Sequence, residues 1–130
     1  MSVQYKLYKI SDNISNVPKE GLAPRMISRG MITLDYLTAR ISDASSLTKG
    51  DVYNVIINLR EEIIDKLSMG YTVKIDGLGI FSLSIESRVV QKEEEIRSGS
   101  MKFKRVIFKA AKYLNTQMRK IDFERMASKI

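Results

Sequence analysis

The feature that most constrains the fold is a change of hydrophobic period at Gly70. Before it, apolar residues recur every three or four positions, which is typical of one face of an α-helix; they are Val52, Val55, Ile56, Leu59, Ile63 and Leu67. After it, apolar and polar residues alternate as far as Ile85, which is typical of strands with one buried face. Gly77-Leu-Gly79 interrupts this alternation and predicts a tight turn. The middle of the chain is therefore predicted to be a helix followed by a β-hairpin.

A shorter helix is predicted to precede the long one. Thr33 is a suitable N-cap, and the amphipathic pattern after it ends near Ala44. Thr48 is a second N-cap, and Asp51 three residues later makes an imperfect capping box. Gly70 is the natural C-terminal stop of the second helix.

The N-terminal region is predicted to be a strand and an irregular connection. Residues 3–10 are rich in β-branched and aromatic side chains and partly alternate, so we expect a strand that joins the edge of the sheet. Residues 11–29 contain Pro18 and Pro24, the two prolines of the chain. We interpret this stretch as irregular, with a short helical turn at 25–29.

Beyond the hairpin, the sequence predicts an exposed segment, a strand, a helix and a tail. Residues 86–100 are polar and charged, residues 101–108 alternate again, and residues 109–121 carry a helical stripe. Residues 122–130 are interpreted as a frayed tail. In the 101–108 strand, Lys102 and Lys104 fall on the same side as Val106 and Phe108. Either the strand leaves the core before Lys104 or it twists there, and we favour the first.

The composition excludes most catalytic chemistry. The chain has no cysteine and no histidine, which removes disulfides, thiol chemistry, the usual general base and most transition-metal sites. We therefore expect no enzyme, cofactor, metal or small-molecule substrate. No apolar run approaches the roughly 20 residues that span a bilayer, and the first residues do not resemble a signal peptide. The expectation is a cytoplasmic protein that does not bind membranes.

The charge distribution points to an anionic partner. The net charge is +7, and residues 102–130 hold nine basic and two acidic residues, an excess equal to that of the whole chain. Such an excess favours nucleic acid over the alternative, a solvated helix with a basic face.

Three segments resemble the bacterial histone-like HU/IHF family. They are Leu47-Thr-Lys-Gly-Asp51 at the start of the second helix, Gly77-Leu-Gly-Ile-Phe81 at the hairpin, and Phe108-Lys-Ala-Ala-Lys-Tyr-Leu114 at the last helix. The extra N-terminal strand and the acidic arm resemble an HU-related subgroup of bacterial DNA-binding proteins. The resemblance implies an α+β fold: a helix-turn-helix pair, a three-stranded antiparallel sheet with a short β-arm, a C-terminal helix, and an intertwined homodimer.

The resemblance also implies a domain organisation and a partner. Residues 1–32 would be an extension, 33–121 the HU-like domain with its arm at about 86–100, and 122–130 a tail. The partner would be DNA, contacted through its phosphates on the minor-groove side, which makes the protein nucleoid-associated. The arm departs from the family: no proline follows Pro24, and Glu86 stands where a basic residue is usual.

The candidate DNA-binding residues are the cations of the arm, the third strand and the last helix. Lys112 matches the family's basic position near that helix, and Lys109 lies one turn earlier. The full set is Arg88, Lys92, Arg97, Lys102, Lys104, Arg105, Lys109 and Lys112. For the cations of residues 101–105, protection of an edge strand is an equally good explanation.

Two further hypotheses follow from the sequence. The acidic arm and the missing proline favour an alternative function, an HU-fold protein-interaction or scaffolding module with weak or lost DNA binding. The apolar faces of the two helices exceed what one small sheet can cover, so we expect a dimer with a shared core.

Overall fold

The computed structural model describes residues 2–11, 20–86 and 89–127, and the chain forms two units. One unit comprises residues 1–33 and 117–130, and the other comprises residues 34–116. The strands are β1 (Ser2–Ser11), β2 (Glu20–Met26), β3 (Val73–Ile75), β4 (Gly79–Ile85), β5 (Phe103–Ala110) and β6 (Asp122–Arg125). The helices are α1 (Leu34–Asp43), α2 (Lys49–Ser68) and α3 (Lys112–Met118). The mixed α+β class is as predicted.

Both ends of α2 are fixed by the residues that the sequence indicates. The Thr48 hydroxyl accepts a hydrogen bond from the Asp51 amide at 3.1 Å, and the Asp51 carboxylate accepts one from the Thr48 amide at 3.3 Å. The predicted capping box is therefore complete. At the other end Gly70 has φ +91°, a left-handed conformation that favours glycine, and its amide donates to Leu67 O.

The interior of the 34–116 unit is small. Among the described residues, the fully buried apolar side chains are Val52 and Leu67 of α2. Thr38 of α1 is also buried, and its hydroxyl donates to the Asp35 carbonyl at 2.8 Å, so burial leaves no unpaired hydroxyl. One single stripe of α2 thus supplies the centre of the core.

Strands β3, β4 and β5 form an antiparallel sheet in that order. Phe81 pairs with Phe108, with ring centroids 4.8 Å apart, and Leu83 pairs with Val106. We call the side of the sheet on which these lie the apolar face. Its members are Val73, Ile75, Phe81, Leu83, Ile85, Phe103, Val106 and Phe108.

A β-bulge explains the irregular alternation of β5. Ser84 pairs with Arg105 and Ile85 pairs with Phe103, so Lys104 is an extra residue with no pairing partner on β4. The extra residue returns Phe103 to the apolar face. The favoured interpretation, in which the strand leaves the core before Lys104, is wrong, since Phe103 still pairs with β4.

The unit formed by the two ends of the chain contains a separate sheet, in the order β2-β1-β6. β1 is antiparallel to β2 and parallel to β6. The predicted strand at 3–10 is confirmed, but its expected place at the edge of the other sheet is wrong. The expected frayed tail is also wrong over 122–125, where β6 pairs with β1.

The irregular connection predicted for 11–29 is wrong over 20–26. There β2 pairs with β1 from Tyr5–Met26 to Ser11–Glu20. Pro24 is compatible with this strand because β2 is an edge strand, where a residue without an amide hydrogen is tolerated. The predicted helical turn is absent, since Arg25 and Met26 belong to β2 and residues 27–30 form no helix.

Two other elements differ from prediction. In place of a β-arm, the described part of the segment (86 and 89–100) contains two short 3₁₀ helices, Glu93–Glu95 and Ser98–Ser100. In the second, the Ser100 hydroxyl bonds both the amide and the carbonyl of Arg97, at 3.2 and 2.7 Å. The last helix begins at Lys112 because β5 continues to Ala110, which pairs with Gly79.

Candidate nucleic-acid interface

The side of the β3-β4-β5 sheet opposite the apolar face carries cations and hydroxyls. We call it the polar face. By strand alternation and register, its members are Lys74, Ile80, Ser82, Ser84, Arg105, Ile107 and Lys109. Three of these seven residues are basic and none is acidic, so the face carries a net positive charge.

Two lysines lie in one row across the polar face. Lys74 of β3 pairs with Ile80 of β4, and Ile80 pairs with Lys109 of β5. Because neighbouring strands are about 4.8 Å apart, the two lysine backbones lie about 10 Å apart. Arg105 lies on the same strand and face as Lys109, four residues earlier. Arg105 and Lys109 are exposed, so their charges are available to a ligand.

A cleft at the end of the sheet brings a third lysine to this row. The cleft has a volume of about 470 Å³, and its charged lining residues are Lys74, Asp76, Lys109 and Lys112. The turn at 76–78 forms its other wall together with the start of α3. The Ala111 amide donates to the Leu78 carbonyl at 2.8 Å, which holds the residues before α3 against the turn.

Gly79 makes this close approach possible. A Cβ atom at position 79 would overlap the carbonyl oxygen of Lys109 and lie 2.7 Å from two ring carbons of Phe108. Gly77 has φ +79°, a conformation that favours glycine. Both glycines of the turn are thus required by the geometry that places Lys109 and Lys112 in one cleft.

The lysines of the cleft are weakly neutralised. Lys74 Nζ lies 3.7 Å from Asp76 Oδ1, and the two side chains are 71% and 94% exposed. Ion pairs as exposed as this contribute little, about 0–1 kcal/mol. Within the described part of the chain, neither Lys109 nor Lys112 has an ion-pair partner. Lys112 also occupies the first residue of α3, where the helix dipole disfavours a cation.

The remaining candidate cations lie apart from the cleft. Lys104 is the bulged residue of β5, and the carbonyl of Lys102 accepts from the Glu86 amide at 2.9 Å. Lys92 and Arg97 precede the two 3₁₀ helices and are exposed. Arg88 lies outside the described residues. The structure thus brings Lys109 and Lys112 into one cleft and places Arg105 on the adjoining face.

Lys74 was missed by sequence reasoning. Its signal was present, because it alternates with Val73 and Ile75 and must therefore lie opposite the apolar face. β5 is an edge strand, so edge protection also explains its lysines. It applies equally to Lys74, because β3 is the other edge strand of the sheet, but it does not extend to Lys112 of α3.

The described residues include no helix both long and apolar enough to cross a membrane. In the same residues no group of three or more Asp or Glu side chains is arranged to hold a metal ion.

Comparison with solved structures identifies a similar fold. A putative bacterial DNA-binding protein from Bacteroides vulgatus ATCC 8482 matches with a TM-score of 0.68 and 15% sequence identity. The match covers 99% of this chain and 51% of that chain, so this chain spans about half the length of that protein. At this identity the likeness concerns the fold. No curated protein matches the sequence significantly.

A family model matches nearly the whole sequence. It covers residues 1–125 and describes an HU domain fused to a winged helix-turn-helix, Ig or glycine-rich motif. The match includes β1 and β2 as well as the helices and the β3-β4-β5 sheet, so the N-terminal strands are part of the family's pattern. The HU-like family indicated by the three sequence segments is thereby confirmed, and the chain belongs to the HU-HIG family.

Proposed function

We propose that this protein is a non-enzymatic, architectural DNA-binding protein that contacts the phosphate backbone with little sequence preference. The observation that carries the proposal is the polar face with its adjoining cleft. Four cations, Lys74, Arg105, Lys109 and Lys112, lie there with Asp76 as the one acidic lining residue. The structural neighbour, a putative bacterial DNA-binding protein, supports the same partner.

Phosphate binding suits the chemistry of these residues. Lysine and arginine release counterions condensed on DNA when they neutralise phosphates, and this term carries no sequence information. Ser82 and Ser84 of the polar face offer hydroxyl donors to the same oxygens. The weak Lys74–Asp76 pair is easily replaced by a phosphate.

The finer features of the proposal follow from the family. The contacts would lie on the minor-groove side, and the protein would be cytoplasmic and nucleoid-associated. The remaining candidate cations would reach flanking phosphates; they are Arg88, Lys92, Arg97, Lys102 and Lys104. A kinking wedge is not part of the proposal, because the described arm residues include two short 3₁₀ helices and contain no proline.

We further propose that the functional unit is a homodimer. Beside its buried stripe, α2 carries a second apolar stripe that is exposed in the single chain: Val55 is 59% exposed and Leu59 42%. On the apolar face of the sheet, Phe103 is 60% exposed and Phe108 49%. Apolar surface of this extent is typical of an interface that a partner covers.

A salt-titrated gel shift on mixed-sequence duplexes tests DNA binding. The four cations of the polar face and cleft predict that log K falls with log salt with a slope of at least about −3.6 per protomer, to which any flanking contacts add. The same affinity on unrelated sequences is expected. If the protein leaves the duplex unshifted at low salt, the proposal is wrong.

One observation favours a second function, protein interaction. The segment between β4 and β5 displays four exposed glutamates, Glu86, Glu93, Glu94 and Glu95, which repel DNA and suit a basic protein partner. A pull-down with and without nuclease separates the two functions. A partner that stays bound after nuclease treatment would favour the interaction module.

A further inference from the structure

Most of the net positive charge lies outside the unit that contains the polar face. Residues 1–33 and 117–130 hold nine basic and four acidic residues, a net charge of +5. Residues 34–116 hold thirteen and eleven, a net charge of +2. The smaller unit therefore carries most of the charge that an anionic partner would recognise.

Two of these cations are adjacent on one side of the β2-β1-β6 sheet. Lys6 of β1 pairs directly with Arg25 of β2. Like charges directly opposite each other on neighbouring strands destabilise a sheet. Among the described residues, neither side chain has a carboxylate within ion-pair distance. An arrangement that disfavours folding and is not neutralised by the described residues of the unit is the arrangement expected where an anion binds.

Arg25 is also held in place. Its guanidinium carbon lies 5.0 Å from the centroid of the Tyr8 ring, which is a cation–π contact on the same side of the sheet. The contact orders a long side chain in advance, so less conformational entropy is lost when a ligand binds. Arg25 remains exposed despite this contact.

The acidic residues of this side are set apart from the two cations. Asp122 and Glu124 lie on β6, across β1 from β2. Glu124 accepts a hydrogen bond from the Ser2 hydroxyl at 3.3 Å and pairs with Gln4. The β1–β2 half of this side is therefore positive, while the β6 half is negative.

The opposite side of the same sheet has a different character. Tyr5, Leu7, Pro24, Met26 and Phe123 line an apolar groove there. That side suits packing against apolar groups, whereas the Lys6–Arg25 side suits a polyanion. Lys9 and Arg125 lie on the apolar side, because Lys9 pairs with Leu22 and Arg125 pairs with Tyr5.

We propose that the β1–β2 ribbon is a second DNA-binding site, in which Lys6 and Arg25 contact backbone phosphates of the duplex. The identity of its partner, DNA, rests on the proposed function. The choice of Lys6 and Arg25 rests on the geometry of the sheet alone. Two separate phosphate-binding surfaces on one chain would contact a longer stretch of duplex than either alone, and their linkage would raise the affinity.

The test compares two double variants of the full chain on a short mixed-sequence duplex. Lys6→Gln with Arg25→Gln removes the proposed contacts. Lys9→Gln with Arg125→Gln removes the same charge from the opposite side of the same sheet. We expect the first variant to reduce the salt slope by about 1.8, at about 0.9 per phosphate contact, and the second to leave the slope unchanged.

The experiment distinguishes failure of the second site from failure of the proposed function. Equal effects of the two variants, or an unchanged slope for Lys6→Gln with Arg25→Gln, would overturn the second site while leaving the polar face intact. A wild-type protein that does not bind DNA would overturn the proposed function itself. Folding is checked by thermal unfolding: Lys6→Gln should keep or raise the melting temperature, because it removes a repulsion. A clear fall would show that Lys6 serves the sheet instead.

Discussion

Gly79 and Lys109 approach so closely across β4 and β5 that position 79 has no room for a Cβ atom. The contact joins the turn of the β-hairpin to the strand that carries three candidate phosphate ligands, Lys104, Arg105 and Lys109. Any side chain at position 79 would push β5 and the start of α3 away from the turn, and with them Lys109 and Lys112.

Gly79→Ala should therefore lower both stability and DNA affinity. Overpacking of this kind costs about 1–3 kcal/mol, because the backbone carbonyl and the Phe108 ring must move. Thermal unfolding and the gel shift measure the two effects. Gly50→Ala is the control: its Cβ would meet only the Thr48 hydroxyl, at 3.9 Å, and alanine favours the helix. Equal stability of the two variants would contradict this account.

Thr48→Ala should destabilise α2 by about 1 kcal/mol through loss of the capping box. The melting temperature and the helical circular dichroism signal report the change. Thr72→Ala is a matched substitution at an exposed threonine that precedes β3. If both variants unfold alike, the cap contributes nothing to stability.

Arg105→Gln with Lys109→Gln should weaken DNA binding uniformly across sequences. Loss of two phosphate contacts reduces the salt slope by about 1.8. Arg60→Gln with Lys66→Gln removes the same charge from α2, where each cation is paired with its neighbour, Glu61 or Asp65. The α2 variant should retain the slope of the wild type, and a matching loss would argue against the polar face.

Lys112→Gln tests the cation at the start of α3. We expect weaker DNA binding on every sequence together with an unchanged or slightly higher melting temperature, since a cation is unfavourable at a helix N-terminus. A lower melting temperature with unchanged affinity would assign Lys112 a purely structural role.

The melting temperature should rise with protein concentration, because dimerisation favours the folded state by mass action. Leu59→Glu places a charge in the exposed stripe of α2 and should shift sedimentation toward the monomer. Glu62→Gln, an exposed substitution on the same helix, is its control. A monomer at all concentrations in the wild type would exclude the homodimer.

The predicted elements of the central region follow from local patterns. The capping box at Thr48, the glycine after α2 and the turn at 77–79 each depend on residues within a few positions of one another. Those signals are strong because the local backbone conformation alone requires them.

The elements missed by prediction depend on distant partners. β2 contains a proline and β6 is only four residues long, and each is a strand because β1 lies beside it. The bulge at Lys104 shows in the sequence of β5 only as an irregular alternation, since the extra residue is defined by the residues of β4 opposite it. The candidate cations of β5 could be selected from charge, but Lys74 joins them only through the register of the sheet.

The parallel pairing of β1 with β6 makes the 34–116 unit an insertion within the other one. During synthesis, β1 leaves the ribosome early but lacks its β6 neighbour until every residue of the inserted unit has been added. The helices and the hairpin can fold in that interval, whereas the terminal sheet is completed afterwards. That sheet can therefore be complete only after translation has passed residue 125.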